Sequence, residues 1–304
     1  FALEPFGAMI YYLPAGAEQG DWLPELPDAE TRPTVKADTI RLIPDKRMAD
    51  PLPTRWVKLK KGEYIDHDGI YGRHFVYYRT YAPQGKLLEV GRINGTDADE
   101  VVVSVQGKRL PVFKEDAYSV FYQLPGDSAI NRKVEVVMLF ESKGLHHHTK
   151  KIVEDYWGIG LNYVRCGGKE LSLEYAYTEN ERGLNLSKGG RLQEKTPTET
   201  TELNEPLLSW YSYSFTLPEQ PRGVWFPYHL RLEHSGNGFI YINGHCIGRC
   251  WQKGPQREYY IPECWLNIGG ENHLAISLRP ISDGAEIQRA EIIPVTWVAE
   301  RRNN

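Results

Sequence analysis

The stretch "LSWYSYSFTLP", residues 208–218, sets Trp210, Ser212 and Ser214 against Tyr211, Tyr213 and Phe215. This is a period of two, the repeat of an extended strand whose successive side chains leave opposite faces, and it places the Tyr and Phe rings on one side. The segments around it read the same way. "YHLRLEHS" (228–235), "GFIYINGHCIGRC" (238–250), "REYYIP" (257–262), "NHLAISLRP" (272–280) and "EIIPVTWVA" (291–299) are β-branched or aromatic runs cut by Gly, Pro, Asn and Asp. Upstream, "GRHFVYYRTYA" (72–82), "KLLEVGRI" (86–93), "DEVVVSVQGKRL" (99–110), "YSVFYQLP" (118–125) and "KVEVVMLFES" (133–142) repeat the pattern, and "GIGLNYVRCGGKELSLEYAY" (158–177) turns at Gly167-Gly168. Strands at this spacing, with turn residues between them, predict antiparallel sandwiches. Gly107 and the pair Asn243-Gly244 sit where tight hairpins want a positive φ.

The predicted organisation is all-β, two consecutive antiparallel β-sandwiches over 56–145 and 146–304. Residues 1–55, dense in proline and acidic side chains ("IPDKRMADPLP", 43–53), read as an extended lead-in draped over a neighbouring domain. "KGLHHHTKKIVEDYW" (143–157) is the one segment that reads as helical, for a turn or two. Residues 179–206 are polar and turn-rich and read as a long loop or an excursion at one end of a sandwich. A chain of 304 residues is long enough for two cores.

Composition bounds the function. Lys plus Arg number 36 and Asp plus Glu 40, a net charge of −4, with no long run of either sign. Bulk charge therefore attracts neither nucleic acid nor an anionic membrane, and no stretch approaches the ~20 consecutive apolar residues that would span a bilayer. Four cysteines, Cys166, Cys246, Cys250 and Cys264, are too few for a disulfide framework in a chain of this length. The 19 Tyr and 8 Trp suit pleated sheets. They also suit sugar binding, where a pyranose stacks its apolar face on a ring and its hydroxyls take directed hydrogen bonds.

The string "GFIYINGHCIGRCWQKGPQREYYIPECWLNIGGENHLAISL" (238–278) resembles the last β-domain of the family 35 glycoside hydrolases, the β-galactosidase family. The matching positions are Asn243, Gly244, Gly248, Arg249, Trp251, Gly254, Pro255, Gln256, Tyr260, Pro262, Trp265, Leu266, Gly270, Glu271 and Asn272; Cys250 stands where the family usually has Tyr. "YGRHFVYYRT" (71–80) and "LFESKGLHHHTKKIVEDYWGIG" (139–160) are similar to earlier parts of the same family, with Ser142 and Trp157 departing from it. The resemblance covers about 55–280. It implies two jelly-roll domains of the galactose-binding-like type, an accessory role beside a catalytic glycosidase domain, and a secreted or periplasmic setting.

Candidate functional residues divide accordingly. "LNEP" (203–206) looks like the acid/base motif of barrel glycosidases, but retaining hydrolysis needs a second carboxylate ~5 Å away on a barrel scaffold. No β/α alternation is present, Glu205 reads as a loop residue, and no catalytic residue is expected. His146, His147 and His148 are consecutive, so their side chains diverge, and a metal site would need two of them with Glu154 or Asp155. His245 with Cys246, Cys250 and Cys264 can likewise be named as ligands, but the cysteines read more simply as small buried apolar residues. "NGT" (94–96) and "NLS" (185–187) match glycosylation acceptors. No cofactor is expected; a structural Ca2+ would draw on Asp97, Asp99 and Glu100. The carbohydrate-binding candidates are Trp251 with Arg249, Gln256 and Arg257, then Trp157 with Tyr156 and Asp155, then Tyr259. The partners they imply are a galactose-containing saccharide and a catalytic domain. A structural packing module and a glycoside hydrolase in its own right are the competing readings.

Overall fold

The computed structural model describes residues 35–36, 41–70, 73–91, 100–116, 118–130, 132–142, 159–161, 163–178, 181–192, 206–220, 227–279 and 286–294. The strands in chain order are β1 (Val35–Lys36), β2 (Arg41–Asp45), β3 (Val57–Lys58), β4 (Phe75–Pro83), β5 (Leu87–Gly91), β6 (Glu100–Val105) and β7 (Lys108–Arg109). They continue with β8 (Lys114–Glu115), β9 (Ser119–Gln123), β10 (Lys133–Glu141), β11 (Val164–Cys166), β12 (Lys169–Glu170) and β13 (Glu174–Ala176). After the short helix α1 (Arg182–Leu186) come β14 (Leu208–Thr216), β15 (Tyr228–Ser235), β16 (Gly238–Ile242), β17 (His245–Cys250), β18 (Glu258–Ile261), β19 (Glu271–Leu278) and β20 (Glu286–Pro294). The fold is all-β, as the sequence predicts.

The chain forms two compact units, neither contiguous in sequence. One comprises Pro44–Arg182 with Leu192–Leu208, and the other Phe1–Ile43, Gly183–Arg191 and Ser209–Asn304.

The Pro44–Arg182 unit is a sandwich of a six-stranded sheet, order β3-β13-β4-β10-β6-β7, and a five-stranded sheet, order β12-β11-β5-β9-β8. Its spine is the nine-residue antiparallel pairing of β4 with β10, running from Phe75↔Glu141 to Pro83↔Lys133. Val76 and Tyr78 of β4, Val136, Met138 and Phe140 of β10, and Val103 and Val105 of β6 meet Leu88, Val90, Val120, Tyr122 and Val164 from the facing sheet in one core. The other face of β4 is also buried. Arg47 lies 3.5 Å over the Phe75 ring, and the Tyr77 hydroxyl donates to the Arg47 carbonyl at 3.3 Å. That double burial explains why "FVYY" reads as a continuous apolar run instead of an alternation. Beneath it Asp45, fully buried, accepts from Arg47 Nε at 3.1 Å and Nη2 at 2.6 Å and also from Arg182, while His74 and Glu141 pair at 3.0 Å. Residues 164–176, assigned from sequence to the second domain, pair here instead: β11 with β5 and β13 with β4.

The second unit packs a five-stranded sheet, order β17-β16-β19-β14-β2, on a four-stranded sheet, order β1-β20-β15-β18. Tyr211, Tyr213 and Phe215 point into its core, the face that their period of two predicts. They meet Ile240, Ile242, Leu274 and Ile276 of the same sheet and Tyr228, Leu230, Leu232, Tyr259, Ile261 and Ile292 of the other. The lead-in supplies two edge strands, β1 pairing Val35 with Ile292 and β2 flanking β14. Segment 179–206, read as loop, contains α1; its Gly183 sits so close to the Tyr241 ring that a Cβ would lie 2.4 Å from it. One helical turn in a Gly-rich polar stretch leaves too few residues for a periodic signal. The segment 143–157 expected to be helical lies outside the described residues.

Candidate carbohydrate-binding surface

The string at 238–278 folds into β16, β17, β18, the turn at 263–265 and β19, and its recurrent Asn and Gly positions prove to be joints. Asn243 (φ 45°) and Gly244 (φ 85°) form the tight hairpin between β16 and β17. The Asn243 side chain donates to the Trp265 carbonyl at 2.6 Å and to Asn272 Oδ1 at 2.7 Å, and accepts from the His273 amide at 2.9 Å. Asn272, fully buried, also accepts from the Asn267 amide at 2.8 Å and donates to the carbonyls of Asn267 and Gly270, both at 3.0 Å. Two asparagines thus satisfy the backbone of two turns at one end of the sandwich. The Gly244 amide donates to Ser187 Oγ at 3.0 Å, tying the segment after α1 to the same hairpin. His245 stacks flat on Trp265, ring centres 4.5 Å apart.

Beyond β17 the chain makes the loop 251–257, and here the sequence candidates gather. Arg257 donates to the carbonyls of Gly254 and Gln256 at 3.1 Å and of Gln252 at 3.3 Å, so its guanidinium clamps the loop from within. Tyr259 is 4% exposed and belongs to the core, its hydroxyl donating to the Gln256 carbonyl at 3.4 Å; burial pushes that hydroxyl up to about 12. Asn237 Oδ1 accepts from the Gln252 amide at 2.9 Å. Gln256 is exposed and donates to the Glu258 carbonyl at 3.2 Å. What the clamped loop presents outward is Trp251, half-buried, with the exposed Arg249 guanidinium 5.5 Å from its ring centre. The structure therefore brings Arg249, Trp251, Gln256 and Arg257 to one loop and sends Tyr259 inward. Asp155, Tyr156 and Trp157 lie outside the described residues, as do His146–His148, Asp97, Asp99 and Glu205; the Glu100 side chain is likewise not described.

His234, on β15, feels the charge of this loop's Arg257. It is 7% exposed, its Nδ1 is 3.0 Å from the Gly236 carbonyl, and burial first and the Arg257 charge second lower its pKa below the usual imidazole value. Cys250 is fully buried, as expected of a small apolar cysteine, whereas Cys246 and Cys264 are exposed thiols, against that expectation, because β17 and the turn at 263–265 turn them outward. Among the described residues no group of three His, Cys, Asp or Glu side chains is arranged to hold a metal ion.

A second surface was not singled out from the sequence. On the outward face of the four-stranded sheet, His229 of β15 is paired in register with Tyr260 of β18 and Ile293 of β20, and Arg231 with Glu258 and Glu291. Arg231 donates to Glu258 Oε1 from Nε at 2.8 Å and from Nη2 at 2.6 Å. His229 Nδ1 is 3.8 Å from Glu258 Oε2, and its ring meets the Tyr260 ring edge-on at 6.0 Å. Tyr260, 51% exposed, donates its hydroxyl to Glu263 Oε2 at 2.6 Å, and that hydrogen bond raises its pKa to about 12. Arg289 spans Glu233 at 3.4 Å and Glu291 at 2.7 Å. The signal was present in "YHLRLEHS", where period two puts His, Arg and Glu on the face opposite Tyr228, Leu230 and Leu232.

Comparison with known proteins bears on this unit. Residues 208–272 match the family described as β-galactosidase, galactose-binding domain. β-Galactosidase A of a Penicillium species is 33% identical over 134 residues, covering 39% of this chain and 13% of that protein. β-Galactosidase A of Aspergillus oryzae is 29% identical over 144 residues, covering 43% of this chain and 14% of the relative. That of Aspergillus niger is 24% identical over 226 residues, covering 62% and 21%. The matched parts of this chain thus span 13 to 21% of the length of these three relatives. The stretch 208–272 matches the galactose-binding domain family of the β-galactosidases, and the resemblance carried by Asn243 to Asn272 is borne out.

Proposed function

We propose that this chain is a non-catalytic, carbohydrate-binding accessory region of a β-galactosidase-like glycoside hydrolase, binding galactose-containing saccharides outside the cytoplasm. The observation that carries the reading is the loop 251–257 within the unit that matches the galactose-binding family: Arg257 fixes its backbone, and it presents Trp251 with Arg249 beside the ring. A half-exposed indole on a pre-formed loop gives a pyranose an apolar platform at little ordering cost, and the neighbouring guanidinium supplies donors to its hydroxyls. Single sites of this kind bind weakly, and linkage to an enzyme on the same polymer raises the effective affinity.

Affinity electrophoresis through gels containing galactan or agarose tests the reading. The chain is expected to be retarded, and Trp251→Ala to weaken binding by about two- to tenfold, the range that one aromatic contact supplies. Absence of retardation on every galactose-containing polymer removes the proposal, as does release of nitrophenol from a galactoside by this chain alone.

A packing module is the second reading, favoured by one observation. The edge strand β8 and its flanks expose Val112 (53%), Phe113 (62%) and Tyr118 (66%) on the Pro44–Arg182 unit. Tight association with a separately made catalytic domain, lost in Phe113→Asp, would favour that role.

A further inference from the structure

We infer that the outward face of the β15–β18–β20 sheet is a second saccharide-contacting surface, one that takes a neutral oligosaccharide lying along β15. The inference rests on the carbohydrate-binding reading above but uses none of the residues of the Trp251 loop.

Three features of the face lead to it. Tyr260 stands half out of the surface, yet its ring is positioned at both ends, by the Glu263 carboxylate at its hydroxyl and by the edge of His229. Because the hydroxyl proton is directed to a carboxylate, the phenolic oxygen keeps its lone pairs as acceptors for a ligand hydroxyl. Next, Arg231 directs both Nε and Nη2 onto the one oxygen Glu258 Oε1, so the planar groups that a vicinal diol would meet are already in place, with Arg231 Nη1 and Glu258 Oε2 not used in that pair. The third feature is charge. Among the described side chains of these three strands and the turn after β18, Glu233, Glu258, Glu263 and Glu291 outnumber Arg231 and Arg289, a negative balance unfavourable to uronates, sulfated sugars and nucleic acid. A polar surface with an aromatic step, fixed hydrogen-bonding groups and an excess of carboxylates suits an uncharged polyol.

The rows at His229, Arg231 and Glu233 are two residues apart along β15, so the face extends about 13 Å at roughly 3.3 Å per residue. That is the reach of a short oligosaccharide, whose first ring would lie on Tyr260 and whose following hydroxyls would meet the Arg231–Glu258 pair.

The test is titration calorimetry of the intact chain with neutral β-galacto-oligosaccharides, for the parent and for Tyr260→Ala, Arg231→Gln and Trp251→Ala, with polygalacturonate oligomers as the charged counterpart. Tyr260→Ala is expected to weaken binding about fivefold. Arg231→Gln is expected to weaken it by at least as much, and the charged oligomers to bind more weakly than the neutral ones. Thermal unfolding of each variant checks the fold, and Tyr260→Phe, which keeps the ring, should lose less than Tyr260→Ala. If Tyr260→Ala and Arg231→Gln bind like the parent while Trp251→Ala is weakened, the sheet-face site is wrong and the carbohydrate-binding reading stands. If the parent binds no neutral saccharide, both fall. Preference for polygalacturonate overturns the neutral-ligand assignment.

Discussion

Replacing Asn272 with alanine removes the acceptor of two hydrogen bonds and the donor of two more, all at a position with no solvent exposure. Three of the four groups left behind keep another partner: Asn243 Nδ2 still reaches the Trp265 carbonyl, the Asn267 carbonyl still accepts from the Gly270 amide, and the Gly270 carbonyl from the Leu217 amide. The Asn267 amide loses its acceptor. Four intramolecular hydrogen bonds at a net of about 0.5–1.5 kcal/mol each sum to about 4 kcal/mol, the Asn267 amide lying on an exposed residue where water can take it up. For a unit of this size such a loss lowers the melting temperature by about 10 °C. Calorimetry that resolves the two units should show the drop in one transition, with the Pro44–Arg182 unit unchanged. Asn272→Asp is expected to be comparably damaging at neutral pH, because a carboxylate oxygen would face the two carbonyls that Nδ2 now serves, and to recover in acid once a proton returns a donor to that position. A loss under 1 kcal/mol in Asn272→Ala would refute the claim that the family's Asn positions act as turn-holding joints.

Gly238→Ala would place a Cβ 1.7 Å from the Ser277 carbonyl oxygen, a backbone contact that cannot rotate away, so denaturant titration should show a loss of about 2 kcal/mol or more. Arg47→Ala leaves the buried Asp45 carboxylate with Arg182 as its remaining guanidinium partner and uncovers Phe75, and should cost the Pro44–Arg182 unit about 3–5 kcal/mol. His234 carries a lowered pKa, so in the window between its native value and the ordinary imidazole value of about 6.5 the unfolded chain binds the extra proton. Stability of the second unit should therefore fall as pH drops below about 6.5, and His234→Gln should flatten that part of the pH–melting profile. Glu181 has the opposite sign. Burial raises its pKa above the ordinary carboxyl value of 4.5, so its contribution is full below that pH and is lost as pH rises through the native value, which Glu181→Gln should abolish.

The period-two reading of residues 208–218 identified the core rings correctly because a half-buried strand writes its burial directly into the alternation. It did not show that Trp210, on the other face, is fully buried as well, its ring 5.9 Å from Tyr241. Tyr241 is in turn met by Gly183, nearly sixty residues upstream, and no local pattern encodes a covering of that separation. "REYYIP" illustrates the same limit at single-residue scale. One of its two tyrosines had to face the core, and the choice of Tyr259 as a ligand contact ignored that Tyr259, with Leu230 and Ile292 in register, occupies the inward phase while Tyr260 takes the outward one. Domain membership was harder still. "NYVRCGGKELSLEYA" reads as β-hairpin wherever it lies, and only long-range pairing with β4 and β5 assigns it to the first sandwich.

The discontinuity of the two units has a consequence for synthesis. The first sandwich has all its residues once the ribosome has passed Leu208, but Val35 must wait for Ile292 before β1 has a neighbour. At about 5–20 residues per second the stretch between Leu208 and Ile292 takes roughly 4–17 s. During it the nascent polypeptide carries one finished layer pair and an early segment whose backbone donors have water in place of a strand partner. Truncation before Glu286 should therefore leave a half-assembled product prone to capture by chaperones, whereas an equally long deletion elsewhere in the second half would spare the strand that closes the sheet.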